Sequence, residues 1–270
     1  MTILSKEDEK LSLHSGVQLI GSLNKRLKER PHLFRIELLD RFYQILNDKE
    51  LIFVKPIKWE DPLENIIFNA KILKDGKNFD HPAKDKIFAQ CWSYEADSYA
   101  LWKIYTTKEN CNRKKSGRPF GVRITTTIDK LENISKLNKG KFYYGVVKYL
   151  GKKDLEKLPK NKKIVSALKQ SDITEQLLKT LLVKRKCYSF EKEVRIIAIP
   201  SPNMIDKNND FLCKVKIDPN DFITSIRFDP GMSYECFKRK KEELINKYGF
   251  KKEQISRSTY FDKNELIIKI

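Results

Sequence analysis

The segment "CYSFEKEVRII", running from Cys187 to Ile197, places Glu191, Glu193 and Arg195 at alternate positions. Side chains of a β-strand alternate between its faces, so as a strand it turns these three residues one way. Phe190, Val194 and Ile196 then point the other way, with same-face neighbours roughly 6.5 Å apart. Such a face is either a ladder of ion pairs or a catalytic ridge. On the second reading, two carboxylates at this separation suit a carboxylate-based hydrolase of glycosidic or phosphodiester bonds. Periodicity alone leaves both open.

Three further stretches hold residues out of keeping with their surroundings. Arg35 sits inside the apolar "LFRI", where a guanidinium is costly unless it meets a carboxylate or a phosphate, or reaches outward to water. Asp61 and Glu64 lie in "WEDPLEN", where they either fix the turn through backbone hydrogen bonds or serve a site. "CWSYEADSYALWKIY" crowds Trp92, Tyr94, Tyr99, Trp102 and Tyr105 together. A helix buries one face, so some of these rings belong to the core and another is free to stack on a planar ligand. Glycine-rich phosphate loops, G-x-S-x-G and H-E-x-x-H are all absent, which removes the usual signatures of nucleotide, acyl-transfer and zinc-peptidase chemistry.

The elements that must position these residues read as α+β. Residues 1–30 form a polar helical lead-in containing the apolar patch "VQLIGSL", followed by a single domain over 31–270 with a mixed, largely antiparallel sheet and flanking helices. "LFRI", "LIFVKP", "IFAQCW", "PFGVRITT", "KFYYGVVKYL", "FLCKVKI", "ITSIRF" and "QISRSTY" read as strands. "ELLDRFYQILND" and "SYECFKRKKEELINKYGF" read as helices. Asp97 is a candidate N-cap for a helix carrying Leu101, Ile104 and Tyr105 on its buried side. Residues 151–163 read as a lysine-rich loop, and a capping box at Asp172 and Glu175 opens a helix to about Lys184.

The chain has 55 Lys and Arg against 36 Asp and Glu, a formal charge of +19. That excess favours a polyanionic partner, RNA or DNA first, an anionic membrane surface or an acidic protein after them, or else reflects a lysine-rich composition alone. Basic clusters at 113–118, 160–163, 184–186 and 238–241 sharpen the expectation. Five scattered cysteines with no C-x-x-C pair fit reduced thiols in a cytoplasm, and no metal site is expected from them or from the three histidines. No apolar run reaches membrane-spanning length, and the first ten residues have no signal core.

In this order, "LFRI", "EDPLEN", "CWSYEADSYALWKIYT", "FGVRI" and "YSFEKEVRI" resemble a widespread uncharacterised bacterial family, often carried in phage-defence or mobile regions. Its pattern runs N-D-P-F-E, then W-x-x-Y-A, then W-x-Y-E-x-E-x-R, and the likeness spans roughly Leu33 to Tyr260. Tyr188, Leu63 and Glu60 depart from it, standing where tryptophan, phenylalanine and asparagine are usual. More distantly, the layout resembles the ADP-ribosyltransferase superfamily. That resemblance implies an ADP-ribosyltransferase-like fold and NAD as substrate. It also implies a toxin or antiviral defence effector, modifying nucleic acid and held by an antitoxin or regulatory protein. Carried over, Arg35 would grip the NAD pyrophosphate or the nicotinamide ribose as part of the catalytic set, Ser93 orient the site, and Tyr105, with Tyr99 as the alternative, stack on nicotinamide, Trp102 also lining the cofactor. Glu193 would be the catalytic glutamate and Glu191 would face the acceptor. The rival reading from a different class is a non-catalytic nucleic-acid-binding or regulatory protein, whose carboxylates simply pair with Arg195 and nearby lysines.

Overall fold

The computed structural model describes residues 16–96, 98–106 and 120–260. Along the chain the strands are β1 (Val17–Leu19), β2 (His32–Leu38), β3 (Glu50–Val54), β4 (Ile72–Lys74), β5 (Lys77–Phe79), β6 (Phe88–Ser93), β7 (Gly121–Thr127) and β8 (Gly140–Val146). There follow β9 (Lys148–Leu150), β10 (Val183–Arg185), β11 (Glu193–Pro200), β12 (Ile205–Asp206), β13 (Asn209–Lys216), β14 (Ser225–Phe228) and β15 (Ile255–Arg257). Helices separate them, the longest among the described residues being Leu39–Asp48 and Tyr234–Tyr248. The architecture is α+β with mixed parallel and antiparallel pairing, as the sequence pattern implies.

Two compact units are formed, each from three chain segments. The first draws on Met1–Leu33, Glu50–Ala96 and Thr127–Ile217. In it β11 is flanked on both sides by antiparallel neighbours, β8 and β6, while β1 adds to β8 in parallel. Beyond β6 come β3, β13 and β12, all antiparallel. A strand so enclosed buries both faces and reads as a nearly continuous apolar run. "VRIIAI" obeys that rule except at Arg195, which is fully buried. On the same face, two residues further along, Ile197 joins a core cluster with Leu177, Leu178, Leu181 and Leu182. Short β9 and β10 pair in parallel, setting Lys184 beside Tyr149.

The second unit draws on Phe34–Lys49, Asp97–Thr126 and Asp218–Ile270. Here β14 pairs antiparallel with β7 and parallel with β15. Val122, Ile124, Ile226, Phe228 and Ile255 alternate along these strands and are buried.

Several local expectations are corrected. "VQL" is a strand rather than part of a helix, because β8 offers it a parallel edge at Val17 and Phe142. Among the described residues of the lead-in, the helix is Lys25–Glu29, capped by Asn24, whose side chain accepts from the Leu27 amide. The lysine-rich stretch folds into short helices, Lys152–Leu155 and Lys162–Leu168. It does so because Leu155, Ile164 and Ala167 supply buried anchors and Asn161 caps the second helix. The helix expected from Asp172 starts at Glu175 behind the Thr174 cap and ends at Thr180, so that Lys184 falls on β10. Ser98 caps the helix Tyr99–Tyr105; Asp97 and the basic cluster 113–118 lie outside the described residues.

Candidate catalytic site

The expected strand across 187–197 begins only at Glu193. Lys186–Glu191 forms a six-residue 3-10 segment, and Lys192 then adopts a left-handed conformation at φ 48 and ψ 53. For a residue with a β-carbon that conformation costs about 1–2 kcal/mol. Simple alternation therefore applies to Glu193 and Arg195 but not to Glu191. Two bonds hold the bend in place. The Ser93 hydroxyl donates to the Glu191 carbonyl at 2.7 Å, and the Tyr94 amide donates to the Lys192 carbonyl at 2.9 Å. Register completes the frame, with Glu193 directly across from Ser93 and Arg195 across from Cys91.

Despite the bend, the two glutamates converge on one cation. The Lys184 ammonium lies 2.6 Å from Glu191, 3.2 Å from Glu193 and 3.1 Å from Glu64. Arg195 is locked from three directions. Its Nε donates to Glu193 at 2.7 Å, one terminal nitrogen to Glu64 at 2.6 Å and the other to the Leu181 carbonyl at 2.5 Å. The Trp59 ring covers the guanidinium at 4.1 Å, a cation–π contact in a desolvated setting. Tyr188 lies over Lys184 at 4.7 Å, and the Glu193 amide donates to the Tyr149 hydroxyl at 2.8 Å. The turn residue Asp61 does both things open to it. It accepts from the Leu63 amide at 3.0 Å and binds the Arg185 Nε at 2.6 Å. Asn65, next to Glu64, is buried with its side-chain oxygen unbonded.

Three carboxylates therefore face two cations, and their ionisation separates. Burial works to raise the Glu193 pKa, but Arg195 and Lys184 outweigh it and hold the carboxyl down at about 2. For Glu191 burial wins, and its pKa is raised despite the bond to Lys184. Burial lowers the Lys184 ammonium less than Glu193, Glu191 and Glu64 raise it, so it stays charged. Burial also pushes the Cys91 thiol up, so it is no nucleophile at neutral pH. Two carboxyls with ionisation pushed apart are what acid–base division of labour needs. Only 2% of Glu193 is exposed, and Glu191 is the more accessible of the pair.

The remaining expected site residues take these places. Ser93 is buried and acts on the Glu191 backbone. Arg35 lies on β2 and meets Glu37 through its Nε, which satisfies the charge that made it costly. Trp102 is buried with Ile36 and Leu101, its ring nitrogen unbonded, so it is a core residue in this conformation rather than an exposed stacking surface. Tyr105 and Tyr99 are exposed. Lys184, Tyr149 and Arg185 join the cluster without any mark in the local sequence pattern, and Asp61 and Glu64, which the sequence leaves open between turn and site, belong to it. The available signal was "EDPLEN" paired with "VKRK", two oppositely charged stretches each beside apolar residues. No group of ligands able to hold a metal occurs among the described residues, and no described helix is long and apolar enough to cross a membrane.

No protein-family model matches the chain, and no curated protein matches it. Among solved structures it overlaps Thermus sp. 2.9 DarT in complex with NAD+ at 10% identity and a TM-score of 0.38, across 85% of this chain and 96% of that one. DarT in complex with carba-NAD+ gives 11% identity and a TM-score of 0.37. In complex with ADP-ribosylated ssDNA it gives 10% and 0.38, with 85% and 95% covered. Overlaps this loose do not establish a common fold.

Proposed function

We propose that the chain is an NAD-dependent ADP-ribosyltransferase-like enzyme, a toxin or defence effector whose acceptor is nucleic acid. The observation that carries the reading is the pair Glu191 and Glu193, oppositely shifted in ionisation and gathered on one lysine at the head of a buried strand. Breaking the nicotinamide–ribose bond sends its electron pair to nicotinamide and leaves positive charge on the sugar. A carboxylate kept ionised, as Glu193 is, stabilises that charge more in the transition state than in the ground state. Glu191, whose raised pKa makes it the better base, accepts the proton of the attacking acceptor hydroxyl or amine. Lys184 offsets part of the pair's negative charge before substrate arrives, and the sugar cation competes with its ammonium. The charge of +19 draws a polyanionic acceptor toward the protein.

Glu191→Gln tests this cleanly, because Glu191 is less embedded than Glu193. Transfer of label from NAD to a nucleic-acid pool falls by about 100-fold or more while thermal unfolding stays cooperative. Wild-type transfer in that variant would end the assignment of Glu191 as the base.

The second reading, a non-catalytic binding or regulatory protein, is favoured by the complete ion pairing of Glu193 and Arg195 at near-zero exposure. A wild-type protein that labels no RNA, DNA or protein pool but binds oligonucleotide with steep salt dependence would support it.

A further inference from the structure

The β4–β5 hairpin carries a groove that neither reading uses. Its two strands pair Ile72 with Phe79 and Lys74 with Lys77, across a two-residue turn in which Asp75 and Gly76 both have positive φ. That turn matches the twist of the two strands. Between the hairpin and the helix Lys162–Leu168 lies a cleft of about 550 Å³ whose apolar lining includes Ile67, Leu73, Phe79, Val165 and Leu168. Leu73 is 67% exposed, the highest value among the exposed large hydrophobic residues described, and Val165 in the opposite wall is exposed too. Lys71, Lys74 and Lys169 belong to the same cleft, with Asp75 the single carboxylate among its lining residues. The Lys74 ammonium stands 5.6 Å from the centre of the Phe79 ring.

An apolar trough with a basic rim has one complement, a molecule with an apolar body and an anionic head. The volume is that of a small-molecule pocket. A second copy of this chain, also at +19, is disfavoured by charge. We propose that this cleft binds the monomeric anion of an aliphatic acid, with its chain along Leu73 and Val165 and its carboxylate among the three lysines. Covering the two exposed side chains supplies the driving force, and the lysines select the head group.

Isothermal titration of the full chain with dodecanoate below its micelle concentration tests the proposal. Dodecanoate binds saturably at one per chain, and dodecyltrimethylammonium does not bind. Leu73→Asp abolishes binding, and Lys71→Glu with Lys169→Glu weakens it by about tenfold or more. Leu137→Asp, at an exposed leucine outside the cleft, leaves it unchanged. Because position 73 is so open, its variant folds, and circular dichroism verifies that. Equal binding of dodecanol, equal loss in Leu137→Asp, or binding to anionic vesicles but not to monomer each overturns the proposal. None of these outcomes touches the transferase reading, which is measured with NAD and without lipid.

Discussion

Each unit buries an arginine, in different surroundings. In the first, Arg195 is wholly buried and meets Glu193 and Glu64 at 2.7 and 2.6 Å. In the second, β7 and β14 put Arg123 directly across from Arg227. Like charges on facing positions of a sheet repel, and the guanidinium of Arg123 leans on the Phe34 ring at 5.0 Å. Cohesion on the other face of those strands comes from Val122, Ile124, Ile226 and Phe228. Both units therefore bury an arginine, but in the first it is clamped between two carboxylates, whereas in the second it lies against an aromatic ring and faces a second arginine. Removing Arg195, which leaves two buried carboxylates behind, is the charge change that does most harm.

Substitutions that break this contrast rank by size. Arg195→Met strands the Glu193 and Glu64 carboxylates and lowers stability by about 3–5 kcal/mol, read from the urea midpoint; a loss below about 1 kcal/mol would show that the network contributes little. Glu193→Gln weakens charge-assisted bonds and costs about 2 kcal/mol. It also changes the acid response. Glu193 titrates at about 2 in the fold against a reference of 4.5, so its contribution is present above the reference and lost as pH falls toward 2. Stability of the Gln variant is correspondingly flatter over that window, as acid titration of the unfolding midpoint will reveal. In the second unit, Gly121→Ala sharpens the contrast through packing. Its β-carbon would fall 3.2 Å from Trp102 and closer still to the Thr106 methyl, and overpacking there costs about 1–3 kcal/mol in thermal unfolding. Arg227→Gln gives the smallest effect and the opposite sign. Relief of repulsion gains about 0.5 kcal/mol, and a marked loss in chemical denaturation would mean that Arg227 has an attractive partner.

Much of the fold was legible because the strands obey burial. "FAQCWS" and "EVRIIAI" are apolar enough to identify, and "SYECFKRKKEELINKYGF" announces its helix from the Ser233 cap to Gly249. The short helices after Gly151 were hidden because lysines outnumber their buried anchors. At the site, Glu193 and Arg195 could be read from alternation, but Glu191 could not be placed correctly. Nothing in "SFEKE" signals a left-handed lysine. Lys184 was invisible for another reason: its meaning depends on Glu64, distant in the chain, and closure of that kind leaves no local periodicity.

The bend at Lys192 gives the site a mechanical bias. Its carbonyl and that of Glu191 are both tethered to the end of β6, so the unfavourable backbone geometry is kept under load by two hydrogen bonds. Because both tethers grip main-chain carbonyls, they do not depend on the side chain at residue 192, and a glycine there would take the same turn without the cost of a β-carbon.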